Sequence, residues 1–567
     1  MDNQRLLIWA FFGLMGWITY QTWVQDYAPK PVATPTEQLA QHTELSTPNG
    51  AVDLPELSAP TDGSLDAPLP VESAAPSIDA SVDTAASRAP AIRVTTDVLD
   101  IEISTEGGTI QAASLLKYPV AKDQPDALVQ LLSTDADNFG LIQTGLRIVG
   151  EGDEPNHRAI FASGSASYDL GGAEELIVPL RWQAANGVSV EKRFRFTRGG
   201  YAIVIEQEVT NGAEAPWRGA DYTQIQRISK EQERSMFDVD SYSFAGPIIY
   251  DGKKSEKLDR DDLVDDGAYK IKSQTGWFGS IQHHFLSAVV PEPGTEQSYS
   301  VSVNNDRSIA STIGQAQSIA PGSSKVFTTT AFVGPKKQSQ LEEIDESLTL
   351  TVDYGWLTII SNPLFWLLSF VFDYVGNWGV AIILVTFLIK LAFYKLTESS
   401  GRSMAKMRNL QPRMKALQDR YKDDKQALSA AMMELYKREK VNPAAGCLPI
   451  LIQMPFFLAF YWVLLESVEM RQAPFALWIT DLSTKDPYFI LPLIMGAAMF
   501  MQQKLNPAPA DPVQAKVMQI MPVMFTAFFA FFPSGLVLYW VTNTLLSIAQ
   551  QWKINTVVEQ EAKESKR

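Results

Sequence analysis

A single cysteine, Cys447, and four histidines stand in a chain of 567 residues. One cysteine rules out an internal disulfide framework, and Cys447 lies in an apolar run away from histidine, which marks it as a small buried residue. Missing as well are a glycine-rich phosphate loop, a G-x-S-x-G elbow and any zinc-spaced Cys or His pattern. The sequence therefore predicts no enzymatic chemistry, no metal and no cofactor. His283 and His284, in WFGSIQHHFLSAVV, fall in a strand-like stretch, where adjacent side chains point to opposite faces and cannot share an ion. A net charge of -16 lacks the basic surface that DNA binding needs.

Two further absences divide the chain. Residues 28–92 contain ten prolines and no aromatic residue, so they cannot bury a core and read as a disordered Pro/Ala-rich tether. Before them, LLIWAFFGLMGWITYQTWVQ (Leu6 to Gln25) is uncharged over about one bilayer thickness. It lacks a small-x-small cleavage site, so residues 1–27 are expected to be an uncleaved membrane anchor rather than a signal peptide.

Residues 93–337 change to short alternating runs such as VSVEKRFRFT and YAIVIEQEVT, joined by Arg198-Gly199-Gly200, the pattern of antiparallel strands with one wet face. Val188, Val190, Phe194 and Phe196 are assigned to one side, with Glu191, Arg193 and Arg195 on the other. Many such strands predict a large β-sandwich. From Arg93 to Glu346 there are 24 Lys and Arg against 37 Asp and Glu, an acidic domain suited to the outer side of a membrane.

Residues 338–376 then form an acidic linker and YGWLTIISNPLFWLLSFVFDYV, in which Asn362-Pro363 should interrupt a helix lying along the membrane surface. Five apolar stretches follow, at Trp378 to Leu396 (within 377–398), Cys447 to Leu465, Tyr488 to Met501, Val517 to Phe532 and Ser534 to Ile548 (the last four within 443–552). With the anchor they make six expected spans. Residues 399–442 carry eleven Lys and Arg against five Asp and Glu, and the tail, 553–567, ends in KESKR. Positive segments stay inside, so both termini and this loop are expected in the cytoplasm.

No Asp or Glu occurs inside the six runs, whereas lysine occurs at Lys390, deep in the second run, and at Lys395, beside its end. Lys390 interrupts TFLIKLAFY, and a charge at the centre of a membrane helix costs about 2.5–3.5 kcal/mol on insertion scales. Sorted by depth, Lys390, Gln453, Gln502, Gln503, Gln514, Gln519 and Ser547 fall toward the cytoplasm, and Thr386, Thr542 and Asn543 near mid-membrane. The outer halves are apolar. Polar surface at membrane depth survives where it faces protein or water. The distribution predicts a hydrated groove, open to the cytoplasm and closed outside, with Lys390 as its positive centre. Snorkelling of Lys390 to the interface is the alternative. Without intramembrane carboxylates an ion-coupled pump is disfavoured, and a site for an acidic segment of another polypeptide is favoured.

In the cytoplasmic loop, Met407, Leu410, Met414, Leu417 and Tyr421 repeat at spacings of three and four. Asp423-Asp424 can then cap a second helix carrying Leu428, Met432, Leu435 and Tyr436, giving a helical hairpin. Its seam either packs on itself or offers Met407, Met414 and Met432 to apolar partners. Its basic face suits ribosomal RNA or anionic lipid.

The stretches NPAAGCLPILIQMPFFLAFYWVL, RQAPFALWITDLSTKDPYFILP and FPSGLVLYW resemble the signatures of the insertase family that joins bacterial YidC to the mitochondrial oxidase-assembly protein. The likeness covers nearly the whole chain and is to the Gram-negative form, with a periplasmic sandwich similar to sugar-mutarotase folds. It implies a polytopic α-helical bundle of six spans with a five-helix insertase core, plus a periplasmic antiparallel β-sandwich, in the bacterial inner membrane. It also implies insertion, folding and assembly of nascent membrane proteins, alone or with the Sec translocon and its accessory subunits, with the ribosome and signal recognition pathway as partners beside the lipid bilayer. No DNA and no nucleotide cofactor are implied. Lys390 takes the place of the family's groove arginine, without the bidentate fork, and Thr386 that of its groove threonine. Tyr539 and Trp540 match its aromatic contacts in the last span, where a Tyr-Tyr pair is common. Gln453, Phe528 and Asn543 complete the expected groove. A channel or transporter and a membrane-tethered carbohydrate enzyme are the competing readings.

Overall fold

The computed structural model describes residues 55, 90–122, 124–229, 243–421, 424–439, 448–505 and 512–564. The predicted anchor, almost all of the tether, Cys447 and Asp423 lie outside the described residues.

From Ala91 onward the described residues build an 11-stranded sheet and a 9-stranded sheet. Among the described strands pairing is antiparallel except that Ala91–Thr95 runs parallel to Ser167–Asp169. The hairpin of Val188–Thr197 and Ala202–Asn211 shows why these residues form strands. Inward positions alternate strictly with outward ones, and the turn requires φ +72° at Gly199, which glycine adopts without strain. On the outer face Arg193 meets Glu206 and Glu208 at 3.0 and 2.8 Å, and Arg195 meets Glu206 at 3.0 Å. Ala202–Asn211 then pairs with Ser324–Pro335, closing the sandwich with the last strand before the membrane region.

One detail extends the sequence reading and a second corrects it. Lys192 shares the inward face with Val190 and Phe194 and is fully buried. Its ammonium donates to Gly107 O at 2.7 Å and to Thr144 O and Oγ1 at 2.9 Å, and burial pulls its pKa down to about 7. Because the unfolded lysine binds its proton up to its ordinary value near 10.5, the cost of burying the charge is fully present below pH 7 and is relieved as pH rises from 7 to 10.5. Melting temperature should rise across that window, with a slope on the order of 1 kcal/mol per pH unit. Lys192→Met should flatten the slope; equal slopes in both proteins would refute this.

The second detail is the histidine pair, which occupies the turn between strands Trp277–Gln282 and Phe285–Pro291 rather than a strand. His283 has φ +48°, so the two rings stack at 3.7 Å instead of pointing apart. Among the described residues no group of three or more His, Cys, Asp or Glu could hold a metal. His284 instead donates from Nε2 to Leu465 O at 3.0 Å, and burial holds it neutral, well below the ordinary histidine pKa.

Among the described residues eight C-terminal helices follow: α1 (Thr358–Val375), α2 (Trp378–Ala392), α3 (Tyr394–Arg420), α4 (Lys425–Arg438), α5 (Leu448–Glu466), α6 (Ile490–Leu505), α7 (Pro512–Phe529) and α8 (Ser534–Glu564). α1 runs through Pro363 instead of breaking there. One proline removes one backbone donor, and α1 is held elsewhere, with Ser361 Oγ donating to Ala459 O of α5 at 3.2 Å. It stops at Gly376, left-handed at φ +64°. Asn377 then caps α2, its side chain accepting from Val380 N at 3.1 Å.

The expected second span also changes. α2 ends at Ala392 and turns by 69° into α3, so Tyr394 to Leu396 belong to the hairpin. Among the described residues, Gly355–Val375 is the one unbroken helix long and apolar enough to cross a membrane, although it was expected to lie flat. The bent pair α2 and α3 passes together, and Ile452–Glu466, Ile490–Leu505 and Lys516–Phe529 are shorter apolar helices. With 15 and 16 residues, α2 and α6 rise only about 22–24 Å, less than the roughly 30 Å of an ordinary hydrocarbon core. The tail does not begin a new segment at residue 553, because α8 continues unbroken to Glu564.

The β-sandwich is packed onto the helices by a buried polar seam. Lys336 and Glu466, 3% and 8% exposed, pair at 3.5 Å. Ser243 Oγ donates to Glu466 at 3.3 Å, and Lys336 Nζ donates to Thr351 O at 3.3 Å. Beside them Arg471 and Gln472 donate to Pro119 O at 3.3 and 2.8 Å.

Candidate functional site

Lys390 sits in the last turn of α2 and is 9% exposed. Its ammonium crosses to α8 and donates to Ser547 Oγ at 2.8 Å, while Ser547 donates to Asn543 O at 2.7 Å, one turn back. Among the described residues it makes no salt bridge. On α8, Trp540, Asn543 and Ser547 recur at spacings of three and four, so they share one helix face. The serine was legible as one polar residue among several, but nothing in the sequence tied it to Lys390.

Thr386, one turn before the lysine, is 1% exposed and donates to Ile382 O of its own helix at 2.6 Å. Its hydroxyl is consumed by the backbone. Tyr539 is buried, stacked on Phe457 of α5 at 5.8 Å and edge-on to Phe460 at 4.9 Å. Trp540 meets Phe457 and Phe529, both at 4.8 Å, and its buried Nε1 has no acceptor among the described residues. These rings join α5, α7 and α8 in one aromatic wall. Phe528 is 52% exposed and packs on Phe529 and Phe532, which puts it at the outer edge of that wall. Gln453 is half-buried on α5, whereas Gln503 reaches across to the Met518 carbonyl and Gln519 is exposed. The glutamines thus do not all converge on Lys390.

In the hairpin, Leu410, Met414 and Leu435 are buried together, with Met407, Leu417, Met432 and Tyr436 packed around them. The seam is filled by its own partner helix. Asp424 caps α4, accepting from Gln426 N and Ala427 N at 3.0 and 2.9 Å.

Sequence reasoning missed two features. A cavity of about 1550 Å³ lies between the sandwich and α1, remote from Lys390, with Tyr118, Lys257, Lys337, Trp366 and Arg471 on its walls. Asp486, in the loop before α6, is 1% exposed and organises that loop, accepting from Trp478 Nε1 at 3.0 Å and Leu491 N at 2.7 Å.

Residues 91–367 match the family model described as the YidC periplasmic domain, and residues 370–562 match that of the 60Kd inner membrane protein. The membrane protein insertase YidC of Thioalkalivibrio sulfidiphilus is 46% identical over 99% of this chain and 100% of its own length. The chain belongs to the YidC family. Its relative of the same description from Nitrosococcus oceani is 45% identical over 99% of this chain and the whole of that one. A solved active YidC insertase with its first transmembrane domain resolved aligns with a TM-score of 0.36 at 19% identity, covering 82% of this chain and 94% of that one. As a YidC-family member this is an inner-membrane protein with a periplasmic β-rich domain and a helical C-terminal region.

Proposed function

We propose that this YidC-family chain inserts and folds inner-membrane proteins by receiving a passenger segment between α2 and α8, with Lys390 offering positive charge to its acidic outer tail. The observation that carries this reading is the buried Lys390 ammonium, bound across two helices to a neutral serine and without a carboxylate partner among the described residues. Such a group lowers the cost of bringing a carboxylate to membrane depth. The short α2 and α6 support a locally thinned bilayer, and the Phe457, Tyr539 and Trp540 wall offers the apolar part of the passenger a path toward lipid.

In this reading the chain has six spans, with both termini and the hairpin in the cytoplasm and the sandwich outside. The hairpin presents its basic outer face to the ribosome and the signal recognition pathway while its methionine seam keeps it folded. The Sec translocon and its accessory subunits receive or supply passengers. Gln453, Phe528 and Asn543 border the route, and Thr386 shapes α2 rather than bonding the passenger.

Photocrosslinkers placed at Trp540 and Asn543 should label a stalled nascent membrane protein, whereas one at Phe370, exposed on α1, should not. Equal labelling at all three positions would remove the groove from the mechanism. Ion flux through the purified protein in liposomes without a passenger would support a channel instead.

A further inference from the structure

The lysine at the centre of the proposed groove has a geometric weakness that the structure shows how to offset. Lys390 lies three residues before the 69° break that ends α2, at the membrane face assigned to the cytoplasm. A lysine stem is flexible and its ammonium strongly hydrated, so a lysine in this place ordinarily extends toward water. Here it does not. It reaches sideways to α8, where Ser547 Oγ accepts at 2.8 Å.

Ser547 can accept because its own proton is committed elsewhere. Its hydroxyl donates to Asn543 O at 2.7 Å, which leaves its lone pairs facing the lysine. One of the three ammonium N–H groups is thereby anchored. The others make no hydrogen bond to another described residue and keep their capacity for a carboxylate. The bond also sets depth, because Ser547 shares a helix face with Asn543 and Trp540, the side along which the proposed route runs.

We infer that Ser547 is a positioning residue that holds the Lys390 ammonium inside the membrane, and so determines preference for passengers with acidic outer tails. This inference rests on the insertase reading above and adds to it the residue that makes a lysine serve as a fixed charge. Without the serine the ammonium retracts to the cytoplasmic interface, and the passenger's carboxylate meets no charge at depth.

The test uses the full-length chain in cells depleted of their own insertase, with paired passengers that differ only in tail Asp and Glu against Asn and Gln. Loss of one charge-assisted hydrogen bond predicts that Ser547→Ala lowers insertion of the acidic passenger about tenfold, with little change for the neutral one. Ser547→Thr, which can bond both Asn543 O and Lys390, should restore the preference. Four results would overturn the inference. If Lys390→Ala discriminates between passengers and Ser547→Ala does not, the positioning role fails while the groove reading survives. If Ser547→Ala weakens both passengers equally, or Thr does not rescue, the serine only packs the helices. If Lys390→Ala itself fails to discriminate, the groove reading fails too.

Discussion

Glu466→Leu with Lys336 left in place should destabilise the union of sandwich and helices by about 3–5 kcal/mol, the usual cost of breaking a buried ion pair from one side. Lys336 is 3% exposed, and burial already pulls its pKa below the ordinary lysine value. With its partner gone it must stay charged and unpaired, or lose its proton. Glu466 ends α5, where a negative charge opposes the helix dipole, so Lys336→Met should be damaging as well. Combining Lys336→Met with Glu466→Leu should recover much of the loss, because an apolar pair of similar volume removes both desolvation costs. Melting of the detergent-solubilised chain, run as a double-mutant cycle, reads this directly. Additive losses would mean that the two groups do not act as a pair.

The second large effect is expected at Lys390. Lys390→Glu should be worse than Lys390→Ala for passengers with acidic outer tails, and Lys390→Arg should be nearly neutral. At an effective dielectric near 20, a unit charge about 4 Å away is worth on the order of 4 kcal/mol, and far less through water. Reversing the sign turns an attraction of that size into a repulsion, whereas alanine only removes it. Passengers with uncharged tails should respond little. The measurement is insertion of paired passengers in depleted cells supplied with each variant. Insertion of the acidic passenger by Lys390→Glu at the level of the unsubstituted chain would reduce Lys390 to a residue without an electrostatic role.

Much of this architecture was legible in the sequence, and the limits follow from what periodicity can report. The alternation in VSVEKRFRFT identified a strand and its two faces, because inward and outward positions differ in hydrophobicity. That same parity puts Lys192 inward with Val190 and Phe194, but it could not show that Gly107 O and Thr144, distant in sequence, accept from its ammonium. The three-and-four spacing from Met407 to Tyr421 identified the hairpin helix, and the structure supplied the packing of its seam. The break at Phe393 was invisible because the apolar run continues across it to Leu396. Pro363 misled in the other direction, since a proline signal is local while the packing that carries α1 through it is not.

From sequence alone came the acidic β-rich domain, the apolar runs, the family signatures and Lys390 as the charge that hydropathy cannot explain. Those are properties of a residue and its near neighbours, where composition and spacing act. Only the tertiary structure decided that Lys390 faces Ser547, 157 positions away, that Glu466 receives Lys336 from the sandwich, and that Thr386 spends its hydroxyl on Ile382. The first two pairings depend on which helix faces and which strand ends the fold brings together, and desolvation then decides their strength. The third depends on a rotamer, which no sequence pattern encodes.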